Sequence, residues 1–134
     1  MSDYFEQYGW TRAEVVDALR DSADGDLLAM AALDLIIGHG MWLKRTEFLD
    51  CIDIDDEHDA PMWASIDWPR AVGVYTPCSG SERTILRIAA SLATRQVEIS
   101  FALVSGLDAT NTRLVMNAIA AATGHRDLIR GEQS

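Results

Sequence analysis

The side chains of this chain best suited to chemistry begin with Asp53-Ile54-Asp55-Asp56-Glu57-His58-Asp59, which sets five carboxylates and an imidazole within seven positions. Oxygen-rich runs of this kind suit a hard cation, because calcium takes about six to eight oxygen ligands and an EF-hand draws them from a loop of fixed spacing. That spacing is absent. With Asp53 as position one, the glycine required at position six is His58 and the bidentate glutamate required at position twelve is Ala64. The run therefore reads as a solvated acidic loop. Zinc needs four well-placed ligands, or three and an open position, and Cys51, Cys78, His39, His58 and His125 are too scattered to supply them. The two cysteines share no short motif and are expected to be reduced. No cofactor follows from these residues, and no spacing of nucleophile and base points to catalysis.

A second group, Ser79-Gly80-Ser81-Glu82-Arg83, has letters that resemble the Ser-Gly-Gly-Glu core of an ABC-type ATPase signature, and Gly106-Leu107-Asp108 resembles the leucine-aspartate stretch of the same enzymes. The chemistry does not follow the letters. Phosphates need a Gly-x-x-x-x-Gly-Lys-Ser/Thr loop to cradle them, and the single lysine, Lys44, stands in no such loop. Ser79 followed three residues later by Glu82 is instead the form of a capping box, in which each side chain takes up a backbone N–H left free at a helix start.

These residues must be carried by helices. Ile85, Ile88, Ala89 and Leu92 recur at helical spacing up to Ala93, with Arg83, Arg87 and Ser91 opposite them. A final helix follows from Asp108, with Val115, Ala118, Ile119 and Ala122 as its apolar face and Gly124 as its stop. Thr11 and Glu14 form another capping box, with Trp10 placed to pack on Val15, and the helix they open should run to about Ser22 and bury Val15, Val16 and Leu19. Leu27 to Ile37 is apolar on almost every side, the pattern of a central buried helix. Its exception, Asp34, is expected at the helix edge beside an arginine or water, and His39 is expected at the helix end as an imidazole favoured by the dipole. Thr46 to Ile52 reads as a short helix with Phe48, Leu49 and Ile52 inward, and Trp68 to about Tyr75 as another, capped by Asp67. Between them Met62, Ala64, Ile66 and Trp68 alternate with Trp63, Ser65 and Asp67, the pattern of a strand that could pair with part of Asp50 to Asp55.

The fold class expected is mainly α: a compact bundle of about five to seven short helices with one small β-hairpin or extended segment near 50–68. Residues 1–9 form an N-terminal arm that docks or frays, 10–126 a single helical domain and 127–134 a C-terminal tail. A chain of 134 residues with 49% apolar content can bury a core without metal or disulfide staples. The start Met1-Ser2-Asp3-Tyr4-Phe5-Glu6 has no signal-peptide pattern and no run of eighteen apolar residues occurs, so a cytoplasmic protein without membrane contact is expected. Ten arginines against one lysine fit a GC-rich coding background.

Further letters carry a resemblance. Ala64-Ser65-Ile66-Asp67-Trp68, Pro77-Cys78-Ser79-Gly80-Ser81-Glu82, Leu86-Arg87-Ile88-Ala89-Ala90-Ser91-Leu92-Ala93 and Gly106-Leu107-Asp108 with Asn111 resemble a family of small uncharacterised proteins of actinobacteria and their phages. The resemblance covers most of the chain after about Leu27. It implies no activity or ligand; it accords with the GC-rich background and a cytoplasmic setting.

Charge separates the function classes. The net charge is −10; residues 1–67 hold sixteen acids against four bases, −12, and residues 68–134 hold five acids against seven bases, +2. The acidic half favours a basic protein partner and repels nucleic acid. The leading expectation is a small acidic protein-interaction module without catalysis, its partner-binding residues Trp63, Asp55, Asp56, Glu57, Arg83 and Arg87. Two alternatives stand beside it: an acidic mimic of nucleic acid that inhibits a DNA-binding protein, and a DNA-binding domain that uses Arg83, Arg87, Arg95, Arg113, Arg126 and Arg130. A homo-oligomer joined acidic half to basic half is also open.

Overall fold

The structure, a computed structural model, describes residues 5–6, 9–55, 63–74 and 77–130. Seven helices and one two-stranded antiparallel sheet make up the described residues. The order is α1 (Arg12–Ala23), α2 (Leu27–His39), a 3-10 turn at Trp42–Lys44, α3 (Thr46–Leu49), β1 (Ile52–Asp55), β2 (Trp63–Ile66), α4 (Trp68–Val72), α5 (Gly80–Ala93), a 3-10 segment at Phe101–Gly106, α6 (Ala109–Ala122) and α7 (Asp127–Arg130). The mainly helical bundle with a small hairpin is the expected architecture. None of the described helices is long and apolar enough to cross a membrane.

Side-chain caps set where most of the longer helices begin. Thr11 Oγ1 accepts from the Glu14 N–H while Glu14 accepts from the Thr11 N–H, and Ser79 and Glu82 repeat the exchange at α5. Asp26, Asp67 and Asp108 accept from N–H groups in the first turns of α2, α4 and α6. Beyond α6, Gly124 has φ of 78°, the left-handed region that costs a glycine little. The chain then makes the helical turn α7, so part of the stretch expected as a tail is helical.

α2 is the centre. It packs against α1, α5, α6 and the first 3-10 turn, and Ala31, Ala32, Leu33, Leu35 and Ile36 are buried on it. A helix apolar on all sides has nowhere else to go, since every face must find a neighbour. α6 runs along it with Leu27 near Gly124 at one end and Gly38 near Leu114 at the other. A Cβ on Gly38 would stand 3.2 Å from Leu114 Cδ2, so the bare glycine gives the tip of that leucine its room against α2. At the edges of the core, Phe5 from the N-terminal arm is 2% exposed and docks, and Trp10 and Val15 are buried as a staple requires.

Several boundaries and faces differ from the sequence reading. α3 ends at Leu49, and Ile52, expected in that helix, opens β1; its side chain is buried all the same, with Phe48 and Leu49. α4 ends at Val72, where Gly73 caps it by bonding back to Arg70 and Ala71 carbonyls. On α6 the buried residues are Val115, Ala118, Ala120 and Ala121, and Ile119 is 40% exposed: the side packed on α2 is filled by small residues and a branched chain is turned to the flank. Val16 is half-buried.

Each capping hydroxyl closes a backbone donor that water would otherwise share with no helix to propagate, a contribution of about 1 kcal/mol. Thr11→Ala and Ser79→Ala are each expected to lower the unfolding free energy by about 1 kcal/mol, read as a lower urea midpoint at unchanged m-value.

Candidate functional site

The hairpin brings together two of the residues expected at a contact surface, Asp55 and Trp63. In the register Ile52↔Ile66, Asp53↔Ser65, Ile54↔Ala64, Asp55↔Trp63, directly opposed residues share a face. Ile52, Ile54, Ala64 and Ile66 form one face, with Ile52 and Ala64 buried and Ile54 and Ile66 packed against the core. Asp53, Asp55 and Trp63 form the other, all three exposed, with Ser65 half-buried beside them. Trp63 is 47% exposed, whereas Trp10 and Trp42 are buried and Trp68 is half-buried against the core. An indole surrounded by carboxylates on a pleated surface can pack on an apolar or cationic side chain while the acids meet its charge. Asp56 and Glu57 lie outside the described residues, as does most of the acidic loop.

Arg83 and Arg87 belong to a different element, α5, which packs chiefly on α2 and α4. Arg87 is exposed. Arg83 is spent inside the fold: its Nη1 donates to the Val74 carbonyl at 3.0 Å and its guanidinium stands 5.8 Å from the centroid of the Trp42 ring. Arg126, from beyond α6, joins Arg20 on Asp34, at 3.0 and 3.1 Å. Asp34 is thus an edge carboxylate held by two arginines across three segments of chain, and pairs this exposed stabilise by no more than about 1 kcal/mol each.

The Ser79-Gly80-Ser81-Glu82 group sits in a polar knot that serves folding. Trp42 is completely buried and donates its indole N–H to the Glu82 carbonyl at 2.9 Å. Arg45 donates to the Glu82 carboxylate at 2.8 Å and to the Pro77 carbonyl, and its guanidinium lies 5.4 Å from the Trp42 ring centroid. The Ser79 backbone N–H bonded to the Glu82 carboxylate, and then Arg45, hold that carboxyl below its ordinary range. His39, at the end of α2, feels Glu82, Arg45 and Asp108, so the starts of α5 and α6 both converge on it. Burial outweighs the two acids and lowers its pKa, leaving a neutral imidazole whose Nδ1 has no hydrogen-bond partner. His39 stands in the last turn of α2 as expected, and desolvation outweighs the attraction of the acids near it. The chemical inventory here is a neutral imidazole, an ion-paired carboxylate and a serine hydroxyl engaged as a cap.

Between α1, α2 and β2 lies a cavity of about 120 Å³, lined by Leu19, Ser22, Ala29, Leu33, Ala64 and Trp68 among others. Its walls are apolar apart from serine hydroxyls, and Ser22 already donates to the Ala18 carbonyl and accepts from the Ala64 N–H. Both cysteines are free thiols, Cys51 buried and Cys78 half-buried, and burial pushes the Cys51 thiol up. Among the described residues no group of three or more His, Cys, Asp or Glu side chains could hold a metal ion.

Sequence reasoning selected Trp63 and Asp55, which the register sets directly opposite each other, and passed over Asp53, whose alternation with Asp55 along β1 was the available signal. No family model, no curated protein and no solved structure matches the chain.

Of the three shifted groups, His39 and Glu82 bear on stability in acid. Below about pH 6.5, the ordinary histidine value, the unfolded chain takes a proton at His39 that the folded chain resists, so stability falls with pH. Below the ordinary glutamate value of 4.5 the unfolded chain protonates before Glu82 does, and a second loss follows. Urea midpoints measured from about pH 7 to about pH 5 should fall less in His39→Gln than in the parent, and Glu82→Gln should flatten the limb below pH 4.5.

Proposed function

We propose that this chain is a small protein-interaction module, without catalysis, whose contact surface is the outward face of the β1–β2 hairpin and whose partner presents basic residues. The observation that carries the reading is the register: Asp55 stands opposite Trp63 and Asp53 opposite Ser65, on the face turned from the core. Tryptophan supplies a large desolvated anchor area, and acids around it set orientation and speed the encounter with a cation-bearing partner. The charge imbalance adds to this, since residues 1–67 carry −12. The DNA-binding alternative is weakened by Arg83 and Arg126, which are engaged with Val74, Trp42 and Asp34 within the chain. A mimic of nucleic acid would use the same acidic half and is separated from the general module by competition with duplex DNA.

Trp63→Ala and the double variant Asp53→Lys/Asp55→Lys alter exposed side chains and should leave the helical circular dichroism unchanged. Used as baits in affinity capture from the source cells, each should lose the partner that the parent retains. With the partner purified, Trp63→Ala should weaken binding by about 2 kcal/mol, roughly thirtyfold, and added salt should weaken the parent complex. Equal capture by the parent and both variants overturns the reading.

A further inference from the structure

The hydrogen-bond parity of the hairpin decides which way its backbone groups point. The Asp67 N–H donates to the Cys51 carbonyl at 2.8 Å, and these two residues are opposed in the register that pairs Ile52 with Ile66. Bonded and non-bonded pairs alternate along an antiparallel ladder, so Asp53↔Ser65 and Asp55↔Trp63 are bonded pairs, and Ile52↔Ile66 and Ile54↔Ala64 are not. The N–H and C=O groups of Ile52 and Ile54 therefore point away from β2, and those of Ala64 and Ile66 point away from β1.

The two outer edges are treated differently. β2 lies against α1, and its outward Ala64 N–H is taken by Ser22 Oγ at 3.3 Å. β1 has β2 as its one substantial neighbour among the described elements, and no described residue takes the outward groups of Ile52 or Ile54. Among the described residues this edge is unpaired, the kind of template to which an extended segment adds by main-chain hydrogen bonds.

We infer that the open edge of β1 takes up an extended, basic segment of the partner protein as a third strand. The inference rests on the reading of the hairpin as the contact surface and names how that contact is made. Charge selects the occupant. A strand added antiparallel to β1 makes bonded pairs with Ile52 and Ile54 and sets one residue across from Asp53 in a closely spaced, non-bonded pair, where side chains on the exposed face come nearest. A lysine or arginine there meets a carboxylate, and the next residue on the same face, two positions along, meets Asp55. Trp63 lies on that face one strand further across. The β1 edge of a second copy would set aspartate against aspartate and is disfavoured. The partner segment is thus one in which a cation recurs at every second residue, with β-branched residues between.

The probe is a synthetic eight-residue peptide, Lys-Val-Lys-Thr-Lys-Val-Lys-Thr, added to the isotope-labelled full chain at low ionic strength. Strand addition predicts cross-strand nuclear Overhauser contacts between the peptide and the Ile52 and Ile54 amide protons, and exchange of those two amides slowed at least tenfold at saturation. A peptide N-methylated at alternate residues on its bonding edge should lose both effects, and Asp53→Lys should weaken binding at least fivefold. If the peptide shifts the Trp63 indole signal but neither contacts nor protects Ile52 and Ile54, strand addition is overturned while the hairpin surface stands. Absence of binding up to millimolar peptide also overturns it, and the capture experiment with Trp63→Ala then decides the surface reading by itself.

Discussion

One buried indole ties the two electrically different halves of this molecule together. Trp42 follows the central helix, is wholly removed from water, and still finds an acceptor for its N–H in the carbonyl of Glu82, forty residues on. A buried indole N–H without a partner would cost the desolvation of a hydrogen-bonding group, so the position of α5 relative to α2 is fixed by that acceptor as much as by apolar packing. Arg45 and Arg83 stand over the ring, and Phe48 and Trp68 continue the aromatic contact, with centroid separations of 6.1 Å for Trp42 to Phe48 and 6.5 Å for Phe48 to Trp68. Through this chain of rings the start of α5, the short α3 and the end of the hairpin become one packed unit. The hairpin leads directly into that unit through Asp67 and Trp68.

The acids of the first half are divided by this arrangement into two kinds. Asp26, Glu14, Asp67 and Asp34 are consumed by helix starts or by arginines, where they stabilise the fold. Asp53 and Asp55 are exposed on the outward face of a two-stranded sheet. The arginines divide likewise, with Arg20, Arg45, Arg83 and Arg126 turned to carboxylates, carbonyls or a ring of the same chain.

Much of the fold was legible because its signals are local. Thr11 with Glu14 and Ser79 with Glu82 announce helix starts within four residues, and the alternation from Met62 to Trp68 announces an extended segment facing two ways. What was not legible depends on distance. Nothing near Arg45 says that its carboxylate is Glu82, thirty-seven positions away, and nothing near His39 says that burial outweighs the Glu82 and Asp108 carboxylates. Ile119 sits at helical spacing with Val115 and Ala122, yet the α2 surface it would have met is already filled by alanines. The site was half visible for the same reason. Four tryptophans can be counted in the sequence, but which one is most exposed is decided by the strand register and by the core, which buries Trp10 and Trp42 and half-buries Trp68.

The hydroxyl of Ser22 has a consequence larger than one hydrogen bond. Fibrillar growth by sheet extension needs a unit that is sticky on both flanks, so that each arrival exposes a fresh template. Here one flank is stoppered by a side chain from α1. Copies of this molecule that met along their hairpins would terminate at a pair instead of propagating, so a strand added to β1 would not open a polymerisation axis.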